Sequence, residues 1–228
     1  MAINLQKGQT IDLRKGDSTS GDGFDLSSVT IGLGWDVRKK SGGGFLGKLM
    51  GSNKEEDYDL DAIAFLLDAN DKVADVGRTV QTPNGQQVGL FGGDVIFFNS
   101  QKHPTGHIWL TGDNRTGAGD GDDEQIIVKL DALDQRYQKI LFLVTVYQGR
   151  QKGQHFGLIE NAFIRAVDGR GKEIARYTMS GDASYNNLCA LVFAEVYRKD
   201  GAWKFRALGN GEATDSFVDI LKQYIQKP

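Results

Sequence analysis

"LVFAEVYRKDGAWKFRALG", residues 191–209, sets two apolar-rich runs on either side of Lys199-Asp200-Gly201. In the second run Trp203, Phe205 and Ala207 alternate with Lys204 and Arg206. That period of two gives a strand one dry face and one wet face. The glycine between the runs can take a positive φ, which permits a tight reversal. The stretch predicts an antiparallel hairpin, and Asp168-Gly169-Arg170-Gly171 before "KEIARYTM" predicts a second one.

The same grammar recurs along the chain. "SSVTIGLGWDV" (27–37), "AIAFLLD" (62–68), "DVIFFNS" (94–100), "EQIIVKL" (124–130), "KILFLVTVY" (139–147), "AFIRAVD" (162–168) and "EIARYTM" (173–179) are short, rich in β-branched and aromatic residues, and bounded by turn residues. The 30 glycines against 3 prolines fit many tight turns between short strands. Only the C-terminal stretch has helical spacing: Phe217, Ile220, Leu221, Tyr224 and Ile225 follow an N-cap at Thr214 or Asp215. The expected fold is all-β dominated, an antiparallel β-sandwich over residues 1–228 as one domain, with an α-helix over 214–226 packed on it.

A length of 228 residues, 39% hydrophobic and 25% charged, supports a packed core. The net charge of −3 carries no basic footprint, so nucleic acid is not an expected partner. Cys189 is the only cysteine, which excludes an internal disulfide and a thiolate metal cluster. "MAINLQKGQTIDLRKGD" has no charged segment followed by an apolar run, and the expectation is a cytoplasmic protein.

The unusual chemistry lies in "TGDNRTGAGDGDDE", residues 111–124, where Asp113, Asp120, Asp122, Asp123 and Glu124 face a single Arg115, five negative charges against one positive. Carboxylates crowded in one turn repel one another unless a cation or hydrogen bonds compensate. Calcium takes about six to eight oxygens, and glycines let the backbone bend around it. Asp113, Asn114, Asp120, Asp122, Asp123 and Glu124 supply such oxygens. Asp57, Asp59 and Asp61 place further carboxylates at i, i+2 and i+4, one face of a strand, so the two segments together could form a cage. The alternative is a pair of solvated acidic turns. Neither segment is an EF-hand: in the frame from Asp57, Ala62 stands at the glycine position and Asp68 at the terminal glutamate, and the frame from Asp120 puts Gln125 at the glycine.

Six segments, "VTIGLGWD" (29–36), "YDLDAIAF" (58–65), residues 111–124, "FGLIENAFIRAVD" (156–168), "EIARY" (173–177) and "WKFRALGNG" (203–211), together resemble the TerD family of tellurium-resistance and stress-response proteins. The resemblance covers essentially the whole chain. It implies a bacterial β-sandwich that binds calcium, typically two ions, and acts with other proteins of a tellurite-resistance or stress complex. Carried over, the ligands are Asp59, Asp61, Asp113, Asn114, Asp120, Asp122, Asp123 and Glu124, with Asp36 a weaker candidate. Ile63 and Leu110 stand where the family more often has serine and histidine. No catalytic activity attaches to these residues, so the expectation is no enzyme; the alternative is a metal-dependent hydrolase using the acidic loop.

Other constellations point elsewhere. His103 and His107 have a zinc-like spacing only on a helix, which Pro104 and Gly106 break. Cys189 lies in the strand-like "LCALVF" and reads as core. Residues 38–57 carry Phe45, Leu46, Leu49 and Met50 flanked by Arg38, Lys39, Lys40, Lys48 and Lys54. They are expected to form an exposed loop, either an idle insertion or a weak, salt-sensitive contact with a partner or the inner face of the membrane.

Overall fold

The computed structural model describes residues 3–13, 23–37, 58–111, 121–178 and 183–225. The 38–57 expectation, and those for Asp113, Asn114 and Asp120, lie outside these residues. The strands in chain order are β1 (Ile3–Asn4), β2 (Thr10–Asp12), β3 (Val29–Val37), β4 (Leu60–Leu67), β5 (Arg78–Gln81), β6 (Gln87–Phe91), β7 (Val95–Ile96), β8 (Ile108–Thr111), β9 (Glu124–Val128), β10 (Lys139–Val146), β11 (Ile159–Val167), β12 (Glu173–Thr178), β13 (Ala190–Lys199) and β14 (Ala202–Glu212). One six-stranded sheet runs β1-β12-β11-β3-β9-β8 and the other β2-β14-β13-β10-β4-β7, with β5-β6 as a separate hairpin. Pairing is antiparallel except between β1 and β12, which run parallel. Sequence reasoning missed β1, β2, β5, β6 and β8, most of them too short for alternation to register.

Both expected hairpins form. Lys199 pairs with Ala202 across Asp200 and Gly201, at φ 54° and 74°, the left-handed pair that a two-residue reversal requires. Between β11 and β12, Asp168 closes the turn by donating its amide to Lys172 O at 2.9 Å.

The sheets differ in how much they bury. Leu33 and Trp35 of β3, Ile126 of β9, Leu60, Ala62, Ala64 and Leu66 of β4, and Phe142 and Phe205 fill the layer between them. The opposite face of β4 and β10 is also dry: Ile63, Phe65, Leu67, Leu141 and Leu143 form a second cluster with Val95, Phe97, Ile220 and Leu221. Double burial explains why "LDAIAFLL" and "KILFLVTV" are almost continuously apolar, whereas β14 alternates.

The C-terminal helix covers that second cluster as expected, but it is shorter than 214–226. It spans Phe217–Leu221, with Ser216 rather than Thr214 or Asp215 at its N-cap. Thr214 Oγ1 instead accepts the Ser216 amide, and Asp215 accepts the Arg150 amide at 3.0 Å. After Leu221 the bonding tightens to i→i+3, with Tyr224 N donating to Leu221 O. The freed carbonyls pair outward, Tyr224 O with the Val73 amide and Gln223 O with Lys72 Nζ, both at 2.8 Å. Those contacts end the helix. Among the described residues no helix is long and apolar enough to cross a membrane.

One polar group sits deep in this framework. Asp94, fully buried, accepts bonds from Tyr137 Oη and the Asp75 amide, and lies 3.2 Å from His103 Nε2. Burial opposes its ionisation, but the His103 and Tyr137 hydrogen bonds outweigh it and hold the carboxyl below its ordinary 3.8. The stability it contributes is therefore complete above pH 3.8 and is lost as pH falls toward the lower folded value. Asp94→Asn should cost about 1–3 kcal/mol at neutral pH in urea denaturation. It should also flatten the acid limb of stability below pH 3.8 relative to the native protein.

Candidate metal centre

The described parts of the two acidic segments, 58–61 and 121–124, lie at the end of the sandwich where β3 finishes and β4 and β9 begin. In β3, Ile31, Leu33 and Trp35 point into the core, so Gly32 and Gly34 face outward. Across them lies the start of the acidic strand. A Cβ on Gly32 would fall 2.1 Å from an Asp122 carboxylate oxygen, and one on Gly34 would fall 2.4 Å from the Phe163 ring and 2.7 Å from Gly121 O. The two glycines of "GLGWD" make the trough in which Gly121 and Asp122 lie.

The consecutive acids at this point have separate surroundings. The Asp122 side chain is 1% exposed, and Arg165 Nε and Nη2 hold its two oxygens at 2.7 and 3.1 Å. Gln125 Nε2 adds a third bond at 3.1 Å. Asp123 accepts the Trp35 amide at 2.9 Å and donates its own amide to Leu33 O at 2.7 Å. Burial, and then the charges of Asp36 and Asp122, push its carboxyl above the ordinary range. Glu124 turns inward, 2% exposed, and accepts the Ala62 amide of β4 at 2.5 Å.

That last bond ties the heads of β9 and β4 together across the two sheets. Asp61, next to Ala62, is 8% exposed, and Asp59 is held by its carbonyl, which accepts the Tyr147 amide at 2.8 Å. Asp36 sits at the exposed rim and accepts Asn161 Nδ2 at 2.8 Å. Of the nine predicted ligands the structure thus brings Asp59, Asp61, Asp122, Asp123, Glu124 and Asp36 to one end of the molecule, Asp122 already engaged by Arg165. Among the described residues no three His, Cys, Asp or Glu side chains converge closely enough to hold an ion. The oxygen-rich, sulfur-free donor set at this end has the chemistry that suits a hard cation.

Arg165 was missed by sequence reasoning. Its alternation with the apolar Ile164 and Ala166 in "AFIRAVD" marks it as outward-facing, and the two glycines at alternate positions of β3 mark a close approach. Neither signal names Asp122 as the partner. His103 and His107, spaced like zinc ligands, are not neighbours in a site: His103 is buried beside Asp94 and Tyr137.

The TerD domain model matches residues 1–81 and 84–224, and the chain belongs to the TerD domain family. Its members are tellurium-resistance and stress-response proteins. The chain is 52% identical to tellurium resistance protein TerX of Serratia marcescens over 99% of its own length and 100% of that protein. It is 38% identical to stress response protein SCP2 of Bacillus subtilis, over 99% of this chain and all of that one. A crystal structure of a homologue of telluride resistance protein TerD from Streptomyces coelicolor superposes with a TM-score of 0.56 over 86% of this chain and 95% of the other, at 23% identity, a likeness of fold.

The trough makes a direct prediction. Gly32→Ala and Gly34→Ala should each destabilise the protein by about 1–3 kcal/mol in urea denaturation, the usual cost of overpacking. Gly89→Ala, whose added methyl meets nothing nearer than 3.9 Å, should change stability by less than about 0.5 kcal/mol.

Proposed function

We propose that this protein is a calcium-binding member of the tellurium-resistance and stress-response class, acting in the cytoplasm through partner proteins rather than by catalysis. The observation that supports the reading is the Glu124–Ala62 bond, which holds the start of β9 against the start of β4, where Asp61 lies next to Ala62 and Asp59 just before the strand. The raised carboxyl of Asp123 points the same way, because a group that resists ionisation among like charges gains from an added cation.

In this reading Asp59, Asp61, Asp123 and Glu124 offer oxygens from the folded framework, and Asp36 stands at the rim. Asp113, Asn114 and Asp120 complete a set large enough for two ions, on sequence grounds. Calcium is favoured over magnesium, which prefers a small octahedral shell and keeps its waters. The names of the relatives support the biological class, and an ion that organises a loop surface suits a protein that works by docking.

Titration of chelator-stripped protein with calcium should give a dissociation constant of roughly 10⁻⁵ to 10⁻⁸ M. The double variant Asp59→Asn, Asp61→Asn should weaken it, and calcium's upward shift of the melting temperature should shrink in step. Absence of any calcium heat in the native protein would overturn the reading. Metal-dependent turnover of an ester or phosphoester by the native protein would favour a hydrolase instead.

A further inference from the structure

We propose that Arg165 is the positioning residue of the acidic end and that Asp122 serves it as a tether rather than as an ion ligand. The affinity part of this rests on the calcium reading above; the structural part does not. Asp122 has both oxygens engaged, two bonds from Arg165 and one from Gln125, and its side chain is 1% exposed on the trough of Gly32. A carboxylate clasped side-on by a guanidinium is already neutralised, and its lone pairs face the clasp. Its immediate neighbours differ in their partners: the Asp123 and Glu124 carboxylates accept backbone amides, Trp35 and Ala62 respectively.

Arg165 is itself prevented from moving. Its Nη1 donates to Glu173 Oε2 at 3.1 Å, and Arg176 grips the same glutamate with two bonds at 2.9 Å while stacking 4.2 Å from the centre of the Phe163 ring. The row Asp122–Arg165–Glu173–Arg176 alternates in sign across β11 and β12 and ends on the root of the acidic segment. Tethering residue 122 to the outer face while Glu124 is bonded inward across the sandwich fixes the backbone between them, and Asp123 projects from that fixed point. A fixed carboxylate needs no ordering when a cation arrives, which is how an arginine that never touches the ion sets its affinity.

The test combines amide exchange with calorimetry. In metal-free Arg165→Met, exchange at the Trp35 and Asp123 amides should rise by about tenfold or more, while core amides of β10 such as Phe142 stay as in the native protein. Calcium affinity should fall by roughly 10- to 100-fold, the range for groups that orient ligands, and Arg165→Lys should recover part of both effects. Adding Asp122→Asn to Arg165→Met should cost nothing further. If Asp122→Asn lowers affinity by the same factor in both backgrounds, Asp122 is a ligand and the proposal fails. It fails also if Arg165→Met leaves exchange and affinity unchanged. Should the native protein bind no calcium, the functional reading falls by itself, and the exchange measurement still decides the role of Arg165.

Discussion

Glu124 accepts the Ala62 amide in a place from which water is excluded, and the acidic end of the molecule is arranged around that bond. A carboxylate so buried would cost several kcal/mol if left without donors, so the two sheets cannot slide past each other at this point without losing it. The bond joins strands from different sheets, unlike the ladder bonds that hold each sheet internally. Its consequence is register: the head of β9 meets the head of β4, and Asp59 and Asp61 share an end with Asp123 and Glu124.

The molecule places its buried charges by giving each a specific partner. Asp94 has Tyr137 and His103, Glu195 has Lys139 and Arg206, and Asp122 has Arg165. Each of these carboxylates is bonded to a side chain from another segment of the chain, which ties the segments together more selectively than apolar contacts can. Asp123 accepts the Trp35 backbone amide, and burial followed by the charges of Asp36 and Asp122 pushes its carboxyl up, whereas the carboxyl of Asp94 is held down by His103 and Tyr137.

The sheets divide labour in a similar way. In the sheet containing β4 and β10, these two central strands are dry on both faces, with the C-terminal helix and the β7 region over their outer side. The outer face of the other sheet carries Phe163, Arg165, Arg176 and the glycine trough, against which Gly121 and Asp122 lie. Ile63 and Leu110 are both buried apolar residues, Ile63 in the outer cluster and Leu110 between the sheets.

Alternation of apolar and polar side chains was enough to find the long strands, both hairpins and the apolar stripe of the helix, because these depend on neighbours within a few residues. The two acidic segments were equally visible, since crowded like charge is a local property. Short edge strands were not, because two or three residues carry no period, and neither was the early end of the helix, which Val73 and Lys72 impose from elsewhere. The fates of Asp122, Asp123 and Glu124 were the least legible of all. Three adjacent acids look alike in a sequence, yet the irregular backbone at 121–123 before β9 lets Asp122 and Glu124 face opposite ways, and the partners of the three lie 43, 88 and 62 residues away in Arg165, Trp35 and Ala62. Only the packing of distant strands could decide which carboxylate is clasped by Arg165, which is bonded inward to Ala62 and which accepts the Trp35 amide.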